Sequence, residues 1–182
     1  MPELYHFTCH TWWHFIRSEG INRGEVPITQ DRVLQFPGLT EDPKAVNQHW
    51  ALGSALDKGA VRLTVQIPRA GRLLTTWRAF HEQHQTARRW YRDLDEASGW
   101  QARYWWIYAG TIPPIWITSH EILRPPSGVD AQLLDEASSY RSSREFLRDK
   151  CRSVDMHSIL DIDPASGLIE LKPGADEPSR LR

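Results

Sequence analysis

The sequence predicts an α+β domain, and three observations carry that prediction. Residues 60–67, AVRLTVQI, alternate Val61, Leu63, Val65 and Ile67 with Arg62, Thr64 and Gln66, the period of two that a half-buried strand requires. Residues 104–108, YWWIY, are apolar on both sides, as a central strand is. Between the strands lie segments whose apolar residues recur at three, four or seven positions, as in residues 78–96 with Phe80, Ala87, Tyr91 and Leu94.

Residues 3–8 alternate well enough to form a first strand, and Thr8 or Thr11 is placed to cap a helix over residues 12–19. Gly20 ends that helix, with a left-handed glycine and Ile21 folding back onto it. Residues 22–42 hold Gly24, Pro27, Pro37 and Gly38 without periodicity, which predicts a long loop with at most short strands. Long loops of this kind in compact domains are usually functional or mobile. Asp42-Pro43 reads as an N-cap followed by proline in the first turn, opening a helix over residues 44–53. After the strand at 60–67, Pro68 is a stop, and Gly99 ends the helix at 78–96. The run at 104–108 leads through Gly110-Thr111-Ile112-Pro113-Pro114 into a short strand near residues 116–123. RPPSG at 124–128 is the boundary candidate, giving a domain over 1–124 and a C-terminal extension over 125–182 packed on it. That extension predicts one or two helices in 130–152 and a hairpin over 159–171 turning at residues 163–167.

The 182 residues carry 22 basic and 23 acidic side chains, so no global charge draws the chain to nucleic acid or to an anionic membrane. Arg88, Arg89, Arg92 and Arg103 alternate with Trp90, Tyr91 and Tyr104, a mixture suited to stacking on unpaired bases, but Asp93, Asp95 and Glu96 make a solvated helix face the simpler account. Cys9 and Cys151 are far apart and lack metal-ligand spacing, which fits a reducing, cytoplasmic setting. No apolar run approaches the roughly 18 residues of a membrane span, and the first 25 residues lack the pattern of a signal peptide.

Several chemistries lose their usual signatures. Neither G-x-G-x-x-G nor G-x-x-x-x-G-K-[ST] occurs, and there is no H-E-x-x-H or G-x-S-x-G. His6, His10 and His14, or His81 and His84, have spacings compatible with a metal, but no carboxylate or thiolate is placed to complete a set, so no metal is expected. The nine tryptophans chiefly supply core volume, with a few available to wall a cleft for a planar ring.

The order of parts is more informative than any one motif. LYHFT…FIRSEGI, a Pro/Gly loop with L-T-E-D-P, V-R-L-T-V-Q-I-P and W-W-I-Y-A-G-T-I-P-P-I-W-I follow one another over residues 3–123. In that order they resemble the ADP-ribosyltransferase-like superfamily, in particular the DarT-type DNA ADP-ribosyltransferases and related proteins. The resemblance implies a split, mixed or antiparallel sheet flanked by helices, with NAD as the substrate that donates ADP-ribose to a nucleic-acid base or a protein side chain. His6 matches the first-strand histidine that contacts the NAD ribose, and Thr8 falls where a hydroxyl often assists. Trp50, Tyr104 and Trp106, with Trp105 and Tyr108, are then candidates for the aromatic wall on nicotinamide. The third motif departs from the pattern, because residues 101–105, QARYW, carry no acid where such transferases hold a glutamate. Glu96 is the nearest acid and the candidate catalytic residue, Gly99 allowing it to fold back. Loss of a preorganised carboxylate would remove much of the stabilisation of an oxocarbenium-like transition state. The alternative is therefore a binding module on the same scaffold that recognises a nucleotide, an ADP-ribosylated group or a partner protein without chemistry.

Overall fold

The computed structural model describes residues 3–24, 26–27, 32–45, 56–68, 73–83, 88–153, 160–163 and 168–171. In chain order the elements are β1 Leu4–Thr8, α1 His10–Glu19, β2 Val26–Pro27, β3 Arg32–Leu34, β4 Gly38–Thr40, β5 Val61–Val65, β6 Leu74–Thr76, α2 Trp77–Gln83, α3 Arg88–Ala97, β7 Trp105–Tyr108, β8 Ile117–Ile122, α4 Gly128–Ala137, α5 Ser143–Ser153, β9 Leu160–Asp163 and β10 Leu168–Leu171. The α+β class is as expected. Six strands form an antiparallel sheet in the order β6-β7-β4-β1-β5-β8. Both predicted central strands, β5 and β7, are internal to it.

Strand alternation divides the side chains between two cores. Leu4 faces Val65, His6 faces Leu63 and Thr8 faces Val61, so these six share one face of the sheet. On that face Leu4, Leu39, Val61, Leu63 and Val65 pack with Ile16 of α1 and with Ile21, Tyr108 and Ile112. Trp105 and Ile107 point the other way and pack with Val26, Trp77, Phe80 and Ala102, under α2 and α3. Trp77 and Trp105 are wholly enclosed there, their rings edge to face at 5.2 Å. The bland expectation for the tryptophans holds for these two.

Helix α1 starts two residues earlier than expected, and neither Thr8 nor Thr11 caps it. Cys9 occupies the N-cap position without a side-chain bond. The cap comes from α4: the Asp130 carboxylate accepts from the backbone N–H groups of His10 and Thr11, each at 3.0 Å, and from the Thr11 hydroxyl at 2.7 Å. A negative group at a helix N-terminus satisfies orphaned donors and opposes the helix dipole. At the other end Gly20 has φ 79° and ψ −179°, outside the left-handed helical region expected of it. Glycine is required on steric grounds as well, since a Cβ there would lie 2.2 Å from the Ile112 carbonyl oxygen, and Ile21 pairs with Ile112.

Three further expectations are refined. The described parts of the helix expected over 78–96 are α2 and α3, and residues 84–87 lie outside the described residues. Tyr104 belongs to a 3-10 turn over Ala102–Tyr104, so the strand begins at Trp105. Trp100, at φ 64°, and Gly99, at φ 65°, turn the chain there, and Asp95 ties the turn by accepting from Trp100 N at 2.7 Å and, through its carboxylate, from Ala102 N at 3.2 Å. The loop at 22–42 supplies three short strands, of which β4 joins the main sheet while β2 and β3 form a second sheet, β2-β3-β10-β9. The C-terminal hairpin β9-β10 thus pairs with β3, and α4 packs on α1. Its turn at 164–167, and most of the helix expected over 44–53, lie outside the described residues. Among the described residues no helix is long and apolar enough to cross a membrane.

Candidate functional site at the joint of β1 and β4

The main sheet has one weak joint. Strand β1 shares five register pairs with β5, and β4 shares three with β7, but β1 and β4 meet at a single pair, Tyr5 with Thr40. Beyond that pair a side chain bridges the strands: His6 Nδ1 donates to the Gly38 carbonyl oxygen at 2.8 Å. A carbonyl only accepts, so Nδ1 carries the proton and the lone pair of the neutral ring lies on Nε2. Burial holds the imidazole below its ordinary pKa of 6.5, the Gly38 bond opposes that effect, and the Lys58 charge adds to it. His6 is therefore a neutral, oriented hydrogen-bond acceptor at physiological pH.

The face that carries His6 also carries Trp106. Leu39 is registered with Trp106, and Leu39 belongs to the core on the His6 side. Trp106 packs half-buried against that core, and its indole N–H donates to the Glu41 carboxylate at 2.8 Å. Glu41 is fixed at its backbone too, donating to the Tyr104 carbonyl oxygen at 3.0 Å and so extending the β4–β7 pairing by one residue. That register carries Glu41 to the face of Leu39 and Trp106.

The other expected site residues are distributed as follows. Thr8 shares the His6 face, nearly enclosed, registered with Val61. Tyr104 lies beside Glu41 through its carbonyl, with the Arg103 guanidinium 4.7 Å from its ring centroid. Trp105 faces away into the second core, and Tyr108 is packed in the first. Trp50 lies outside the described residues. Glu96 is not brought to His6: it stands half exposed on α3, 3.9 Å from Arg92 one turn away, and Tyr91 of the same helix packs on the core of the opposite sheet face.

Glu41 is the residue that sequence reading passed over. Its signal was the alternation Leu39-Thr40-Glu41, but a three-residue strand is too short to display a period. His10 and His14, the other histidines of the first motif, have separate partners: His10 Nε2 donates to the Arg124 carbonyl oxygen at 2.7 Å, and Arg17 donates to His14 Nδ1 at 3.1 Å. Among the described residues no three His, Cys, Asp or Glu side chains come together as a metal site. Burial pushes the Cys9 thiol up to about 12, so it is no nucleophile at neutral pH. Compared with known proteins, the chain matches no protein-family model, no curated protein and no solved structure.

Proposed function

We propose that the chain binds NAD at the joint of β1 and β4 and transfers ADP-ribose from it to a nucleic-acid base or a protein side chain, on an ADP-ribosyltransferase-like scaffold. The observation that carries this reading is the His6–Gly38 bond. It leaves a neutral Nε2 acceptor on a rigid strand, suited to a ribose hydroxyl, where the sheet pairs least. Trp106 supplies an aromatic surface on the same face.

In the reaction the bond between the nicotinamide nitrogen and ribose C1′ breaks. Its electron pair neutralises the ring nitrogen, the acceptor's nucleophile bonds to C1′, and the acceptor's proton passes to solvent. His6 and Thr8 orient the ribose, Tyr104 and Trp106 border the ring, and Glu96, the acid nearest the third-motif strand, is the candidate to stand in for the glutamate that the family places there and this sequence lacks. A second reading, a binding module without chemistry, is favoured by the position of Glu96, paired with Arg92 on the layer over the opposite sheet face.

Incubating the chain with NAD⁺ and measuring free nicotinamide, with and without DNA, RNA or protein acceptors, separates the readings. Release that depends on His6 supports transfer. Binding of NAD⁺ with no release under any acceptor supports the module. No NAD⁺ binding at all removes the transferase reading and leaves the module only for an ADP-ribosylated group or a partner protein.

A further inference from the structure

Glu41 and Trp106 have a relationship that the chemistry above does not use. A half-buried indole and a carboxylate are locked together through the indole N–H at 2.8 Å, and the carboxylate's backbone is pinned to Tyr104. The indole is the aromatic surface most attractive to a cation, and a carboxylate at its rim adds a full negative charge to the same spot. The pair sits on the His6 side of the sheet, one strand beyond the β1–β4 joint.

We infer that Glu41 and Trp106 form a receptor for a planar cationic ring, and that in this protein they select the oxidised, positively charged nicotinamide of NAD⁺ over the neutral dihydronicotinamide of NADH. The inference rests on the NAD reading above. A neutral indole alone would hold both rings by contact area. The carboxylate contributes only where the ring is charged, so it is a determinant of specificity rather than of general affinity. Trp106 has two duties: its ring meets the ligand, and its N–H holds the exposed Glu41 carboxylate beside that ring.

The test is calorimetric titration of the full chain with NAD⁺ and with NADH, for the wild type, Glu41→Gln and Trp106→Phe. Glu41→Gln keeps the size and the acceptor for the indole N–H but removes the charge. A unit charge about 4 Å from a carboxylate in water corresponds to a preference of at least about fivefold. The wild type should show that preference for NAD⁺, and Glu41→Gln should bring the two affinities to about parity by weakening NAD⁺ alone. Trp106→Phe, which keeps a ring but frees Glu41, should lose part of the preference. An equal preference in wild type and Glu41→Gln overturns the inference, as does a wild type that binds both forms equally, and either result leaves NAD binding standing. A wild type that binds neither form overturns the NAD reading and this inference with it.

Discussion

His6 Nδ1 and the Gly38 carbonyl oxygen, 2.8 Å apart, tie β1 to β4 just past the one register pair the two strands share. The bond serves the fold and the site through different nitrogens of one ring. Asparagine can place an amide N–H near the Nδ1 position but offers nothing at Nε2. His6→Asn is therefore expected to fold with stability within about 1 kcal/mol of wild type while binding NAD⁺ at least about tenfold more weakly. His6→Ala should lose both, with about 1–3 kcal/mol of stability gone because the Gly38 carbonyl is left without its donor. Urea denaturation and titration calorimetry on the two variants check this, and undiminished NAD⁺ affinity in His6→Asn would exclude His6 from the site.

The same histidine predicts a pH dependence. Its folded-state pKa is held below 6.5, chiefly by burial, so on acidification the unfolded chain takes up the proton first. Stability from this group is complete above about pH 6.5 and is lost as pH falls through the lower, folded-state value. NAD⁺ binding should fall in the same direction, because protonation turns Nε2 from acceptor to donor. His14 is lowered as well, by partial burial and then by Arg17, so His6→Asn should flatten the acid side of the urea midpoint profile in part, not wholly. An unchanged profile in that variant would show that His6 does not titrate in the native range.

What could be read in advance follows a physical division. Residues 60–67 and 104–108 are long enough for alternation or unbroken apolarity to show, and both became internal strands. The place of His6 in the first strand was legible from the alternation of residues 3–8. Strands of two or three residues have no period, so the sequence at 22–42 allows short strands without placing β2, β3 or β4, and leaves Glu41 and the partner of the C-terminal hairpin unmarked. The cap on α1 was hidden for another reason, since Asp130 is 119 residues from Thr11 and nothing local marks the pair. The sheet face over which α3 lies, and with it Glu96, was likewise set by tertiary packing, through Tyr91 on the second core.

Asp130 is 2% exposed and its carboxylate accepts from three donors of α1. The Asp130→Ala variant leaves the His10 and Thr11 backbone N–H groups buried without an acceptor, the Thr11 hydroxyl keeping only the Asp130 carbonyl oxygen at 3.2 Å, and removes a charge complementary to the helix dipole, for an expected loss of about 3 kcal/mol. Asp130→Asn keeps acceptor capacity without the charge and should fall between the two. Because α1 supplies Ile16 to the core on the His6 face, the loss should appear as a lower melting temperature of the whole domain, not as local fraying. Thermal denaturation followed by tryptophan fluorescence distinguishes these outcomes.

Trp100 carries a backbone cost that its side chain does little to offset. It is the one non-glycine residue with positive φ among the described residues, at 64°, and is 53% exposed. A left-handed conformation costs an L-residue about 1–2 kcal/mol, and an indole so exposed recovers only part of its burial energy. Asp95 holds the turn independently of the ring, accepting from Trp100 N and Ala102 N and, at its carbonyl, from the Ser98 hydroxyl at 2.8 Å. Trp100→Gly removes the steric cost and adds about 0.5–1 kcal/mol of glycine entropy, for a net gain of about 0.5–1 kcal/mol. Trp100→Ala keeps a Cβ in the same conformation and should gain nothing. Equilibrium urea unfolding of the two variants is decisive: a loss of more than about 1 kcal/mol in both would mean that the indole itself holds the turn, and with it the Tyr104 carbonyl that anchors Glu41.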